Sequence, residues 1–180
     1  MSSAREGPTP AELPPEPPPD SGYRLRLATA ADARTIAEYR RLMFAAMGQV
    51  PPGEGDDLVA AMEQHVEREL PAGRLVGWIV EHEGSPVAGG IVVLQQTAPS
   101  PGFVGDEPVG LIQNIWTEPV HRRRGLAGWM VREMLDWCRE RGIRRLFLNA
   151  TEDGRGVYAA LGFCPSTTAM TLTLDIEDRP

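Results

Sequence analysis

The chain has 180 residues, of which 42% are hydrophobic and 24% charged, and its formal net charge is −7. This composition is ordinary for a globular protein and is sufficient for one domain with its own core. The acidic balance argues against general nucleic-acid binding, and no apolar run approaches the ~20 residues of a membrane-spanning helix. The N-terminus lacks a signal-peptide pattern, which predicts a cytoplasmic protein with no membrane partner.

All eighteen basic residues are arginine. The choice of arginine over lysine is therefore uninformative in this chain. A functional role for an arginine has to be inferred from its position in the sequence. Cys138 and Cys164 have no metal-ligand spacing, so they are predicted to be buried thiols and no metal is expected.

The first 22 residues hold seven of the seventeen prolines and few apolar side chains. Such a segment buries too little surface to offset its ordering entropy, which predicts a disordered tail over residues 1–22 and a single domain over residues 23–180. The domain begins with alternating residues Tyr23–Leu27, typical of a half-buried strand. Thr29 and Asp32 then resemble a capping box.

Apolar spacing and turn residues predict the remaining elements in chain order. A helix carries Ile36, Tyr39, Met43 and Met47, and a second helix opens at Asp56-Asp57 and ends before Pro71. Strands at Arg74–Glu83 and Pro86–Gln96 form a hairpin, and a fourth strand runs over Val109–Thr117. A third helix (about Gly125 to Arg141), a fifth strand (Arg144–Asn149), a fourth helix (Glu152–Leu161) and a last strand (Thr167–Leu174) follow.

The predicted order is therefore βαα-βββ-α-β-α-β, an α/β fold with a mixed sheet. The fourth strand, third helix and fifth strand form a βαβ crossover, so these two strands should be parallel.

The most informative segment lies where the fourth strand ends and the third helix begins. After Pro119 the chain reads Arg122-Arg123-Arg124-Gly125-Leu126-Ala127-Gly128. Backbone N–H groups, the positive end of a helix dipole and three guanidinium groups meet there, which suits a phosphorylated ligand. A solvated basic turn is the alternative interpretation.

These residues fit the pattern (Q/R)-x-x-G-x-(G/A), and Tyr158-Ala159-Ala160-Leu161-Gly162-Phe163 fits Y-x-x-x-G-F. With the element order, the sequence over residues 23 to 174 resembles the GNAT family, the Gcn5-related N-acetyltransferases. The resemblance implies the GNAT acyl-CoA N-acyltransferase fold and acetyl transfer from acetyl-CoA, as co-substrate, to a small-molecule or peptide amine.

The resemblance also implies roles for single residues. The fourth strand would bulge and splay from the fifth, and the backbone of Ile115, Trp116 and Thr117 would bind the pantetheine arm. The pyrophosphate would lie on Arg122, Arg123, Arg124, Gly125, Leu126, Ala127 and Gly128. Tyr158 would be the general acid that protonates the leaving thiolate.

The general base is the point where this sequence departs from the family. Many members carry a glutamate on the fourth or fifth strand, whereas the candidate positions here are Gln113, Asn114, Leu146, Leu148 and Asn149. Glu118, Glu152 and Asp153 follow the strands, and a water held by Asn114 or Gln113 is an equal alternative.

The acceptor site is expected at the Gly48–Asp57 and Ala98–Pro108 loops. Acidic side chains there would attract a cationic amine or would simply be solvated; they are Glu54, Asp56, Asp57, Asp106 and Glu107.

Two other function classes remain open at this stage. The missing strand carboxylate favours a non-catalytic acyl-CoA-binding sensor or recruitment module, whereas Tyr158 favours an enzyme. The arginine segment alone would also fit a nucleic-acid-binding α/β domain, against the acidic balance of the chain. The sequence does not determine the acceptor or whether the chain forms a homodimer.

Overall fold

The computed structural model describes residue 17 and residues 21–100 and 104–165. The predicted last strand, Thr167–Leu174, and nearly all of the predicted N-terminal tail lie outside these residues. Within them, no helix combines the length and the apolar character needed to cross a membrane.

The described residues form nine main elements in the predicted order. They are β1 (Tyr23–Leu27), α1 (Ala33–Ala46), α2 (Gly55–Glu69), β2 (Leu75–His82), β3 (Ser85–Gln95), β4 (Val109–Thr117), α3 (Leu126–Glu140), β5 (Leu146–Leu148) and α4 (Arg155–Ala160). The bounds of β4 agree with the prediction, whereas β5 and α4 are shorter than the predicted Arg144–Asn149 and Glu152–Leu161. A 3-10 turn over Ala30–Asp32 comes before α1, so Thr29 precedes this turn rather than the α-helix itself.

The five strands form one mixed sheet in the order β1-β2-β3-β4-β5. The first four pair antiparallel, and β4 and β5 pair parallel, as the crossover predicted. Both faces of this sheet are covered by helices, so β2, β3 and β4 are largely buried.

Helix α3 covers one face of the sheet with a row of apolar side chains four residues apart. Leu126, Met130, Met134 and Cys138 are all buried in one cluster with strand residues such as Val92. Cys138 is thus a buried thiol, and this burial raises its pKa to about 11. The same prediction is wrong for Cys164, which is exposed because it follows α4 in a segment without helix or strand structure.

Helices α1 and α2 cover the other face through a second cluster that includes Ile36, Val59 and Ile79. The start of α1 is fixed by Asp32, whose carboxylate accepts from the Thr29 backbone N–H at 2.7 Å. Arg26 also donates to both oxygens of this carboxylate at 2.8 Å. These bonds to the charged form hold the pKa of Asp32 at about 2.

A β-bulge interrupts β4 at Asn114. Gly89 pairs with Trp116 and Ile91 pairs with Gln113, so the single residue Gly90 lies opposite two residues of β4. Asn114 has a φ of 61° and is only 2% exposed. Its Nδ2 donates to the Ile36 carbonyl at 2.8 Å, which ties α1 to the bulge.

We expect Asn114→Ala to lower the free energy of unfolding by about 2 kcal/mol, since it removes a buried hydrogen bond and forces alanine into the left-handed region. Urea unfolding of the purified protein measures this. Asn114→Gly is the matched control, because glycine accepts the positive φ and should lose about 1 kcal/mol less. Equal losses in the two variants would contradict a backbone role for this position.

Candidate active site

In the loop between β4 and α3, residues with positive and negative φ alternate. Arg123 has a φ of 60° and Gly125 a φ of 78°, and Arg124 between them has a negative φ. Alternating signs of φ point successive N–H groups into one concavity, and such a backbone nest binds anions. The glycine of the predicted pattern therefore occupies a position where a positive φ is required.

The N–H groups of this loop are free to bind a ligand. In the part of the chain that the structure describes, none of the backbone N–H groups of residues 123–128 donates to an acceptor. The first helical bond of α3 runs from Trp129 N–H to the Gly125 carbonyl at 2.9 Å. The open donors and the helix dipole together favour negative charge.

The three arginines of the segment take different positions. Arg122 folds back on β4, where its Nε donates to the Thr117 carbonyl at 2.9 Å and its guanidinium lies 4.7 Å from the Trp116 ring centroid. Arg123 and Arg124 are exposed. Arg122 therefore braces the loop, and the other two guanidinium groups are available to a ligand in solution.

A cluster that sequence reasoning missed fixes the other end of the loop. His121 Nδ1 lies 2.9 Å from the Tyr23 hydroxyl, and the His82 ring lies 4.6 Å from the Tyr23 ring. These rings link the residue before Arg122 to β1 and β2. No local pattern reveals this link, because Tyr23 and His121 are 98 residues apart.

β4 stops pairing with its parallel partner just before the bulge. Among the described residues, the ladder with β5 ends at the pair Ile112 and Leu148, and the residues at 113, 116 and 117 pair with β3 alone. The expected bulge is therefore present at the point where the two strands stop pairing. Ile115 lies on the α3 face, where it packs against the cluster that includes Met130.

Trp116 is 8% exposed and lies on the α1 side, opposite Gly89. Its Nε1 donates to the Glu118 carboxylate at 3.3 Å. Tyr39 of α1 packs where a side chain at Gly89 would lie, and burial together with the nearby Glu118 charge raises the pKa of Tyr39. The indole is thus mainly a packed side chain that also orients Glu118.

Tyr158 lies on α4, on the α3 face of the sheet. It is half-buried, packs against the cluster that contains α3, and meets the Phe163 ring edge-on at 6.1 Å. Burial raises the pKa of Tyr158 above its ordinary value of 10. The phenol therefore carries its proton at neutral pH, the form that a general acid needs.

The candidates for the base and for the acceptor site differ in burial. Glu118 and Gln113 are half-buried, and the buried Oδ1 of Asn114 has no hydrogen-bond partner among the described residues. The other acidic candidates are exposed, namely Glu54, Asp56, Asp57, Asp106, Glu107, Glu152 and Asp153. Among these candidates, Glu118, Gln113 and Asn114 alone are shielded from solvent and lie on or beside the bulged end of β4.

These parts can together hold an anion and act on a group beside it. The loop offers converging N–H donors and two free guanidinium groups, which suit a pyrophosphate. The separated strands offer backbone groups for an extended chain. A protonated phenol on one side and half-buried acceptors of hydrogen bonds on the other suit acid–base chemistry.

Comparison with known proteins identifies the family and the fold. The model of the acetyltransferase (GNAT) family matches residues 25–163. A GCN5-related N-acetyltransferase from Ralstonia eutropha JMP134 has 26% sequence identity and a TM-score of 0.77, over 84% of this chain and 99% of that one.

Two further solved structures share the fold. A predicted acetyltransferase from Clostridium acetobutylicum, solved with acetyl-CoA, has 24% identity and a TM-score of 0.75 over 84% of this chain and 96% of its own. The glucosamine-6-phosphate N-acetyltransferase of Arabidopsis thaliana has 16% identity and a TM-score of 0.63 over 85% and 99%. No curated protein sequence matches the chain. Because the family model spans most of the chain and the fold agrees, the protein belongs to the GNAT family of acetyltransferases.

Proposed function

We propose that the protein transfers the acetyl group of acetyl-CoA directly to an amine of a small molecule or peptide. The observation that carries this proposal is the set of unbonded N–H groups of residues 123–128 beside the bulged end of β4. The Ralstonia relative is an N-acetyltransferase, and the Clostridium structure contains acetyl-CoA, which supports the donor and the type of acceptor.

The cofactor would lie along the gap between β4 and β5. The backbone of Ile115, Trp116 and Thr117 would bind the pantetheine arm, and the loop from Arg122 through Gly128 would bind the pyrophosphate. Gly125 and Ala127 lack bulk, so the phosphates can approach the backbone closely. No metal is needed, because the backbone donors and guanidinium groups supply the positive charge.

The reaction would proceed in one transfer without a covalent enzyme intermediate. The neutral amine nitrogen attacks the thioester carbonyl carbon, a C–N bond forms, and the C–S bond breaks. Tyr158 gives its proton to the coenzyme A thiolate, and a backbone N–H of β4 stabilises the charge on the carbonyl oxygen.

Two groups are available for the proton that leaves the amine. Glu118 is a carboxylate held by Trp116 at the end of β4. The unpartnered Oδ1 of Asn114 would hold a water that passes the proton to solvent. Both lie on the α1 side of β4, opposite the α3 side on which Tyr158 packs, so the acid and base would approach the thioester from different sides.

The direct test follows free thiol release from acetyl-CoA in the presence of a panel of amines. We expect release that depends on both the amine and the enzyme, together with stoichiometric N-acetylated product by mass spectrometry. Tight binding of coenzyme A without product from any amine would instead favour a non-catalytic acyl-CoA-binding module.

A further inference from the structure

Arg40 on α1 is a half-buried arginine without an anionic partner. It forms no ion pair and no hydrogen bond through its guanidinium with any described residue. Its guanidinium instead makes a cation–π contact with Phe44, whose ring centroid lies 5.0 Å from the guanidinium carbon. Burial lowers the pKa of Arg40, because nothing nearby compensates the charge.

Two other partly buried arginines, Arg26 and Arg41, form ion pairs. Arg26 bonds to Asp32 and Glu81 at 2.7–2.8 Å, and Arg41, the next residue after Arg40, bonds to Glu38 at 2.9 Å. A desolvated cation without a partner is costly, and an anion that binds to it recovers part of this cost. Arg40 is therefore placed to bind an anion that the described residues do not supply.

Arg40 lines a cleft between the end of α1 and the start of α2. The cleft has a volume of about 290 Å³, and apolar side chains form most of its lining, namely Phe44, Val50, Pro51 and Leu58. Glu54 stands at the same cleft but forms no ion pair with Arg40. This volume is at the small end of the range for ligand sites, so it suits a small molecule with one anionic group and an apolar part.

The cleft is close to the bulge along α1. The Ile36 carbonyl, one helical turn before Arg40, accepts the bond from Asn114, and Tyr39 packs over Gly89 opposite Trp116. One turn of helix spans about 5.4 Å. A small molecule in the cleft would therefore extend only a short distance toward the place where the thioester is expected.

We propose that the acceptor is a free amino acid with an apolar side chain, and that Arg40 binds its carboxylate. The apolar lining would hold the side chain, and the amine would point toward Glu118 and the bulge. This inference rests on the proposed acetyl transfer to an amine. It gives the main role in acceptor binding to Arg40 rather than to the acids of the α1–α2 loop, of which Asp56 and Asp57 are exposed on the first turn of α2.

The test compares two acceptors that differ in one group. L-Leucine carries the carboxylate, and 3-methylbutylamine is the same molecule without it. With the unmodified protein and acetyl-CoA, we expect kcat/KM for leucine to exceed that for 3-methylbutylamine by about 10- to 100-fold, the usual size of a charge-assisted bond. Equal values, or a preference for 3-methylbutylamine, would overturn the inference while leaving the acetyl transfer established.

The variant Arg40→Gln should abolish this preference, mainly through a higher KM for leucine. Arg34→Gln is the matched control, because Arg34 lies on the same helix but is exposed and bonded to Glu38 and Glu63. The control should keep the preference. An equal fall of kcat/KM for both acceptors in Arg40→Gln would show that Arg40 only supports the fold.

A binding measurement separates this inference from the catalytic proposal. Isothermal titration of the coenzyme A-loaded protein with N-acetyl-L-leucine and with N-(3-methylbutyl)acetamide needs no turnover. We expect the carboxylate compound to bind at least about 10-fold more tightly, and Arg40→Gln to remove the difference. Equal binding of the two compounds by the unmodified protein would overturn the inference, whatever the thiol assay gives.

Discussion

Tyr158→Phe is expected to lower kcat by about 100-fold or more, since a positioned general acid contributes about 10²- to 10⁴-fold. The substitution removes one hydroxyl from a half-buried ring and leaves its packing in place. The affinity for acetyl-CoA should change by less than about twofold, because the phenol acts only when the thiolate leaves. Steady-state thiol release and isothermal titration with acetyl-CoA measure the two quantities separately.

Phe163→Leu is the control for this prediction. It removes the ring that meets Tyr158 edge-on at 6.1 Å but keeps the phenol. We expect some loss of thermal stability and a kcat within a few fold of the unmodified protein. A Tyr158→Phe variant with full kcat would exclude the phenol as the acid and would point to a water in its place.

Gly125→Val is expected to raise the Kd for coenzyme A by about 100-fold or more. A β-branched residue is strained at a φ of 78°, so the loop would change its backbone and the N–H groups of residues 123–128 would no longer converge. Each N–H group that no longer donates to a phosphate weakens the binding of coenzyme A. The loss of two or three charge-assisted hydrogen bonds accounts for a rise in Kd of about 100-fold or more. Titration of the purified protein with coenzyme A measures the effect.

Gly142→Val provides a matched control with the same kind of strain. Gly142 follows α3, has a φ of 72°, and a side chain there would meet open space. The variant should lose stability to a similar degree but keep its affinity for coenzyme A. If both variants bound coenzyme A equally well, the backbone of the loop would not be the phosphate site.

Most of the fold was predictable because its signals are local. Helix α3 repeats apolar residues every three or four positions, and β4 ends just before Pro119, so both elements followed from short-range patterns. The length of β5 was not predictable in this way. Arg144 to Asn149 has the residue types of a strand, but β4 offers a partner only as far as Ile112.

The turn between β4 and α3 was also predictable, since Gly125 and the arginines before it form a compact pattern. The residues of the proposed acceptor side were not, because they come together only in the folded chain. Asn114 bonds to a carbonyl 78 residues away, and Arg40 stands among other arginines of α1 without any local feature that marks it. Its lack of a partner is a property of three-dimensional packing.

The bulge in β4 also restricts how this enzyme can change over evolution. Ile112 and Ile115 both pack against the α3 cluster, although residues three apart on a regular strand face opposite sides. Deleting Asn114 would make the ladder regular and would leave Trp116 on its present side, because Gln113 and Trp116 already lie on one face. The deletion would remove the bulge and the bond from Asn114 to the Ile36 carbonyl, so it would change the site while the strand kept its inward and outward pattern. With the acceptor site that we propose, new acceptor preferences would arise more readily through the connection between α1 and α2, whose length no strand pairing constrains.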